Sequence, residues 1–317
     1  MTNRREFFKK TGAAAIGSML IHDILKAVPS EYAKALTSVG IQTFTLNSFM
    51  GNDPKATFKK LADIGFKNIE TATYTDDKYY GFSPKGFKSM INDQGMAWIG
   101  HHVMGVPVTS LFAPPENPTP EQIKQFEQMK QFAANMKAPN LTDNMQKIVD
   151  NAAEGGLQYL ICASTAINTM DKIKKAVETF SKAGEACKKA GLQFAYHNHA
   201  TEWDPVEGTT AYDFILSQTD KDLVKMELDL GWVATAKKNP ADLFKGHPGR
   251  FPLFHLKDFN LAANTMVPVG EGDVDFGAAF ANADLAGMKY YFIEQDNAKS
   301  MDDVIVAFNN VRKKLKL

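Results

Sequence analysis

Cysteine is nearly missing from this chain. Only two of its 317 residues are cysteine, and Cys162 and Cys187 stand far apart with no Cys-x-x-Cys pair, so neither a zinc ribbon nor a disulfide framework can be built. An excess of either charge is missing too. Lys+Arg of 36 against Asp+Glu of 36 leaves no global attraction for a polyanion, and no nucleic-acid partner is expected. No apolar run reaches the roughly 20 residues that a stable membrane span needs. No Gly-x-Gly-x-x-Gly follows the first strand-like run, which removes the main support for a dinucleotide fold. Short repeats, low-complexity tracts and interdomain linkers are also lacking. What remains is globular in composition, 44% hydrophobic and 23% charged, and long enough for two small domains or one large α/β domain.

The first 35 residues have a character of their own. Arg4-Arg5 followed by Phe7-Phe8-Lys9, a mildly apolar stretch over residues 11–25 and then Ala33-Lys34-Ala35 give a charged region, an apolar region and a small-x-small cleavage site. The order resembles a twin-arginine export signal. His22 and Asp23 inside the apolar stretch argue against an anchor. The resemblance implies that residues 1–35 are a removable signal read by the twin-arginine export machinery, that residues 36–317 are the catalytic domain, and that the protein is exported to the periplasm. It also implies a chain that folds before export, for which a bound cofactor is the usual reason.

Beyond residue 36, short β-type runs alternate with helical patterns. The spacing predicts strands over residues 40–45, 68–71, 97–102, 159–162, 193–199, 224–229, 253–257 and 290–294. Helical patterns fill most of the intervals, at 54–64, 85–94, 138–154, 169–190, 211–219, 240–245 and 276–286, and 301–315 closes the chain. Glycines at 65, 95, 156, 191 and 287 stand where helices would stop. Eight strand–helix units in this length predict a single (β/α)8 TIM barrel, an α/β fold of parallel strands joined by helical crossovers. One insertion, residues 104–137, carries five prolines and a helical-looking stretch at 121–129. It follows the third strand, so it is either decoration or a partial lid over the barrel's C-terminal face.

The ionisable residues collect at strand ends with one parity. His197 and His199 share a face of the fifth run, Glu227 and Asp229 of the sixth, and His255 and Lys257 of the seventh, while Glu294 ends the eighth. A lone histidine or carboxylate at a strand end is more often structural, as a hydrogen-bonded core group or a helix cap. Four adjacent strands of equal parity are harder to explain that way, because burying carboxylates without a compensating cation is expensive. The mixed nitrogen and oxygen set predicts one divalent metal ion, Mn, Co, Fe, Zn or Mg. Further candidates for binding substrate are Glu70 after the second run, His101 and His102 after the third, Glu202 and Trp203 beyond the fifth, Glu227 on the sixth, Trp232 and Lys257. Of the adjacent His101 and His102, an extended chain turns at most one toward the site. Glu271, between Gly270 and Gly272, reads equally well as a turn residue.

The segments Tyr196-His197-Asn198-His199, Glu227-Leu228-Asp229-Leu230-Gly231-Trp232, His255-Leu256-Lys257-Asp258, Val269-Gly270-Glu271-Gly272 and Ile293-Glu294-Gln295-Asp296 resemble the sugar phosphate isomerase/epimerase group of the xylose-isomerase-like barrels. That resemblance implies a metal held by strands five to eight, with Asp229, His255 and Glu294 in three of the ligand positions. It departs at strand five, where His197 occupies the position usually held by Glu and His199 competes with it. It further implies proton abstraction next to a carbonyl, with Glu294 and an imidazole from His197 or His199 as the catalytic groups. The leading expectation is a metal-dependent sugar or keto-sugar isomerase/epimerase. The alternatives are a lyase or hydratase acting on 3-keto-glycosides by β-elimination and a non-catalytic sugar-binding protein. Export favours a sugar or glycoside over a phosphorylated sugar as the small-molecule partner.

Overall fold

The computed structural model describes residues 37–111, 118–135 and 138–315. The expected signal, residues 1–35, lies outside them. Eight parallel strands close into a barrel: β1 (Gly40–Gln42), β2 (Asn68–Thr71), β3 (Ala97–Met104), β4 (Tyr159–Ser164), β5 (Gln193–His197), β6 (Val224–Asp229), β7 (Leu253–Leu256) and β8 (Tyr290–Ile293). Each pairs with its neighbours in sequence, and β1 closes the ring against β8 with Ile41 opposite Ile293.

The helices follow from local signals. Helix α1 (Pro54–Ile64) starts on Asp53, whose side chain accepts from the Ala56 amide, with proline at its first position; α2 (Pro84–Asn92) repeats this with Ser83. In the insertion, helix α3 (Pro120–Asn135) is longer than expected, and residues 112–117 and 136–137 fall outside the described part. Helices α4 (Leu141–Glu154) and α5 (Met170–Lys189) follow. In α5, Ile173, Ala176, Phe180, Ala183 and Cys187 form one buried stripe, the spacing of a helix laid on a barrel. The circuit continues through α6 (Ala211–Gln218), α7 (Leu230–Thr235), α8 (Pro240–Gly246), α9 (Phe276–Ala281), α10 (Ala283–Ala286) and α11 (Met301–Lys314). Gly287, at φ 79°, stops α10 in the left-handed region that disfavours a side chain.

Four strands end earlier than expected, β7 and β8 by a single residue and β1 and β5 by more, the latter two for local reasons. The first ends at Gln42, where the side-chain oxygen accepts from the Phe44 amide and turns the chain into a 3-10 helix at Thr43–Leu46. The fifth ends at His197, because residues after it turn into a second 3-10 helix, Thr201–Trp203.

Strand parity sorts the rest. Phe194, Tyr196, Met226, Leu228, Phe254 and Leu256 point outward into the large helix-facing core. Ile99, Tyr159, Ile161, Ala195, Leu253 and Phe292 pack a separate apolar cluster inside the barrel. Above it, at the C-terminal ends of the strands, the interior turns polar.

Candidate metal centre

Glu70, the third residue of β2, is fully buried. Its Oε1 accepts from Gln42 Nε2 at 2.6 Å. Beside it, β3 carries a bulge: Ile69 lies opposite Trp98, but Glu70 lies opposite Gly100. The extra residue settles which histidine turns inward. Strict alternation from the inward Ile99 would select His101, yet the bulge brings His102 inside and leaves His101 against Thr71, Tyr74 and Tyr79. Burial, with the charge of His102, pushes His101 down to about 3. Gly100 is required there, since a Cβ would meet Ile161 Cδ1 at 2.7 Å and the Glu70 carboxylate at 3.2 Å.

His197 ends β5 with Nδ1 at 3.2 Å from Glu227 Oε2 and Nε2 at 4.0 Å from Asp229 Oδ2. Burial and the neighbouring histidines hold it well below the usual range, which keeps the imidazole neutral. Asp229 caps α7 through Oδ1, which accepts from the Trp232 amide at 3.0 Å. Its Oδ2 is buried with no hydrogen-bond partner, and burial raises this carboxyl to about 6. His255 stands between two groups of carboxylates, with Nδ1 at 2.9 Å from Glu294 Oε2 and Nε2 at 2.7 Å from Glu70 Oε1.

Lys257 is a buried cation. Its Nζ lies 3.0 Å from Glu294 Oε2, 3.0 Å from Asp296 Oδ1 and 3.5 Å from Asp229 Oδ2. Burial opposes the ammonium, but the three carboxylates outweigh it and raise its pKa. Burial likewise opposes ionisation of Glu294, yet Lys257 and His255 hold it well below the usual carboxylate range. Asp296 was not a sequence candidate, although it stands in the Glu294-Gln295-Asp296 segment.

Two overlapping groups of buried side chains bring ligand atoms within 4.8 Å of one another: His197, Asp229, His255 and Glu294, and His102, His197, Glu227 and His255. The first contains the four residues expected from the sequence. The second unites Glu227 and His102, which the sequence reading treated as substrate contacts. The equal parity of Glu227 and Asp229 on one strand was the available signal. Asp229 Oδ2, which makes no hydrogen bond, and the mixed imidazole–carboxylate donors fit a divalent transition ion.

Over these groups opens a cavity of about 400 Å³, lined among others by His102, His197, His199, Lys257, Glu294 and Asp296. His199 lies at its edge, outside both ligand groups, because β5 has already ended; its side chain is 39% exposed and 3.7 Å from Glu202. Five proposed substrate contacts do not border the cavity. Glu70 and Glu227 are fully buried beneath it. Glu202 accepts from the Tyr196 hydroxyl at 2.8 Å, and Trp203 packs on Tyr212 at 4.5 Å between ring centres, both drawn into the core by the turn after β5. Trp232 is not a lining residue either; its ring packs on Phe259 and carries Lys257 Nζ at 5.1 Å. His101 borders the cavity but contributes to neither ligand group. The Gly270-Glu271-Gly272 segment is a loop feature, since Asp258 accepts from the amides of Phe259, Gly270, Gly272 and Val274.

The model of the xylose isomerase-like TIM barrel matches residues 58–305. The chain belongs to that family. Among solved structures it is similar to a sugar phosphate isomerase/epimerase from Parabacteroides distasonis ATCC 8503, with 25% identity, 88% of this chain and 96% of that one covered, and a TM-score of 0.65. The IolI protein, crystallised with a bound zinc atom, shares the fold at 12% identity and a TM-score of 0.59, over 88% of this chain and 98% of its own. A curated relative, the inosose dehydratase of Clostridium beijerinckii, is 25% identical over 141 residues, 44% of this chain and 46% of the relative. The chain spans about half the length of such curated relatives. These comparisons support an enzyme family of isomerases, epimerases and dehydratases.

Proposed function

We propose that this family member is a metal-dependent enzyme that removes the proton next to a carbonyl in an unphosphorylated keto-sugar or keto-polyol and eliminates a β-substituent. The observation that carries the reading is the Glu294–Lys257 ion pair, 3.0 Å long, buried and facing the cavity. His197, Asp229, His255 and Glu294 would hold the divalent ion. When bound there, the ion supplies Lewis-acid stabilisation of the negative charge that develops on the carbonyl oxygen.

The chain's own groups account for the protons. A free oxygen of Glu294 accepts the α-proton as the Cα–H bond breaks and a C=C bond forms. Lys257 Nζ gives a proton to the departing β-oxygen, and the two side chains, paired at 3.0 Å, exchange the proton that resets them. The net loss is one molecule of water or of aglycone alcohol. Asp229 and Asp296 keep Lys257 charged and aimed. Among the described residues that line the cavity, Lys257 is the one Lys or Arg, and it already serves three carboxylates, which disfavours a phosphorylated substrate. The name of the inosose dehydratase relative agrees with elimination.

Epimerisation or isomerisation is the second reading. It is favoured by the neutral imidazole of His197, a second proton acceptor within the same ligand group as Glu294, and by the name of the P. distasonis structure. The test is incubation of the metal-loaded chain with inososes and 3-keto-glycosides in heavy water. Elimination gives a product lighter by water or aglycone; epimerisation gives deuterium at the α-carbon with no loss. Absence of both with every substrate would refute the enzymatic reading and leave a sugar-binding protein. We extend the proposal to export: N-terminal sequencing of periplasmic protein is expected to begin near Leu36, and an intact Met1 there would overturn it. Among the described residues no helix is long and apolar enough to cross a membrane.

A further inference from the structure

Below the cavity floor, two imidazole nitrogens and two carboxylate oxygens alternate around a closed four-sided ring. His102 Nε2 is 3.0 Å from Glu70 Oε1 and 2.6 Å from Glu227 Oε2. His255 Nε2 is 2.7 Å from the same Glu70 oxygen and 3.2 Å from the same Glu227 oxygen. These residues come from β2, β3, β6 and β7. Glu70, Glu227 and His255 are fully buried, His102 is 8% exposed, and only His102 reaches the cavity lining.

We propose that this ring, His102 Nε2, Glu70 Oε1, His255 Nε2 and Glu227 Oε2, is a second binding site for a divalent transition-metal ion, one layer beneath the set of His197, Asp229, His255 and Glu294. Three observations converge on it. The first is size: the four edges run from 2.6 to 3.2 Å, near the roughly 2.8–3.4 Å that separates neighbouring donor atoms held about 2.0–2.1 Å from one zinc ion.

The second is a shortage of protons. Each imidazole nitrogen carries at most one hydrogen, so the four contacts hold at most two linear hydrogen bonds. Glu70 Oε1 already accepts from Gln42, and Glu227 Oε2 faces His197 Nδ1 as well. The remaining oxygens, Glu70 Oε2 and Glu227 Oε1, are buried with no partner at all. Two carboxylates in that condition call for a cation.

The third is the contrast with the outer layer. Asp229, Glu294 and Asp296 share the Lys257 ammonium, whereas among the described residues the ion pairs of Glu70 and Glu227 are with histidines only. His255 serves both layers, Nε2 facing inward and Nδ1 facing Glu294. With both ions bound, His255 would bridge them as an imidazolate, Nε2 on the inner ion and Nδ1 on the outer one, and the ring would release its remaining proton. Two imidazoles with two carboxylates suit zinc or a neighbouring first-row ion over calcium or magnesium.

The inference goes beyond the reading of the outer site, and the experiment separates the two. The full chain is saturated with zinc, freed of excess and its metal content measured, alongside His102→Ala, Glu70→Gln and Asp229→Ala. Two equivalents are expected in the parent, one in each of the three variants. If the parent holds one equivalent that disappears in His102→Ala but survives in Asp229→Ala, the inner site stands and the outer assignment fails. If the single equivalent disappears only in Asp229→Ala, or if His102→Ala and Glu70→Gln both retain the parental content, the inner site is overturned. Should the variants not fold, anomalous scattering at the zinc edge from crystals of the parent decides: a peak at the centre of the four atoms is expected, and density confined to the outer set refutes the proposal.

Discussion

The two halves of the barrel interior are made by the same strands and differ only in height. On β8, Phe292 packs the lower apolar cluster and Glu294, two residues on, faces the cavity. On β5 the pair is Ala195 and His197; on β7 it is Leu253 and His255. One step of the pleat thus separates a layer stabilised by removing hydrocarbon from water from a layer in which every charge needs a counter-charge. The lower layer sets how firmly the barrel closes. The upper layer sets what it can bind, and its own contribution to stability depends on neutralisation.

The largest expected effect removes an outer carboxylate. Asp229→Ala takes away an oxygen that makes no hydrogen bond and is paired with Lys257, and is expected to lower α-proton exchange by at least about 10²-fold, with loss of one metal equivalent. Exchange and metal content retained in a folded variant would break the division between layers. Next is its lower-layer counterpart. Phe292→Ala leaves a cavity in the apolar cluster and is expected to cost about 3–5 kcal/mol in denaturant unfolding while metal content stays at the parental value. A Phe292→Ala protein that loses metal at full stability would show that the layers are not separable. Where the two layers touch, Gly100→Ala forces a Cβ against both Ile161 and Glu70. Overpacking of this kind costs about 1–3 kcal/mol, and here it should weaken metal binding as well, because it displaces a carboxylate of the upper layer.

Much of this arrangement was legible in the sequence. Strands β2 and β6 begin and end where the apolar alternation and the flanking signals put them, and parity alone placed Glu227, Asp229, His255 and Glu294 on the inner face. What the sequence could not carry was any departure from strict alternation. The bulge at Gly100 inverts the choice between His101 and His102, and its cause, the Glu70 carboxylate packed over that glycine, belongs to another strand. The early end of β5 separates His199 from His197 and draws Glu202 and Trp203 into the core. Lys257 had an environment that only the assembled barrel shows, since its partners come from β6 and from the segment after β8.

The smallest expected effect concerns the Tyr-His-Asn-His segment, whose two histidines looked equivalent. By simple alternation they share a face. The turn after His197 breaks that equivalence: His197 lies within the buried ligand groups, while His199 sits at the cavity edge, 39% exposed, beside Glu202 and 5.8 Å from the ring of Trp232. A half-exposed side chain in contact with solvent and one carboxylate contributes little to stability, and at the rim it can touch only the distal part of a bound sugar. His199→Gln is therefore expected to leave metal content and thermal stability unchanged and to raise KM less than about tenfold with kcat near the parental value, the pattern of a lost uniform binding contact. His197→Gln, in contrast, should lower metal content. The split between KM and kcat is the decisive readout. A His199→Gln protein whose kcat falls by about 10² or more would place the proton-transferring imidazole at the rim instead of the floor, and the boundary between the two layers would have to be drawn one pleat higher.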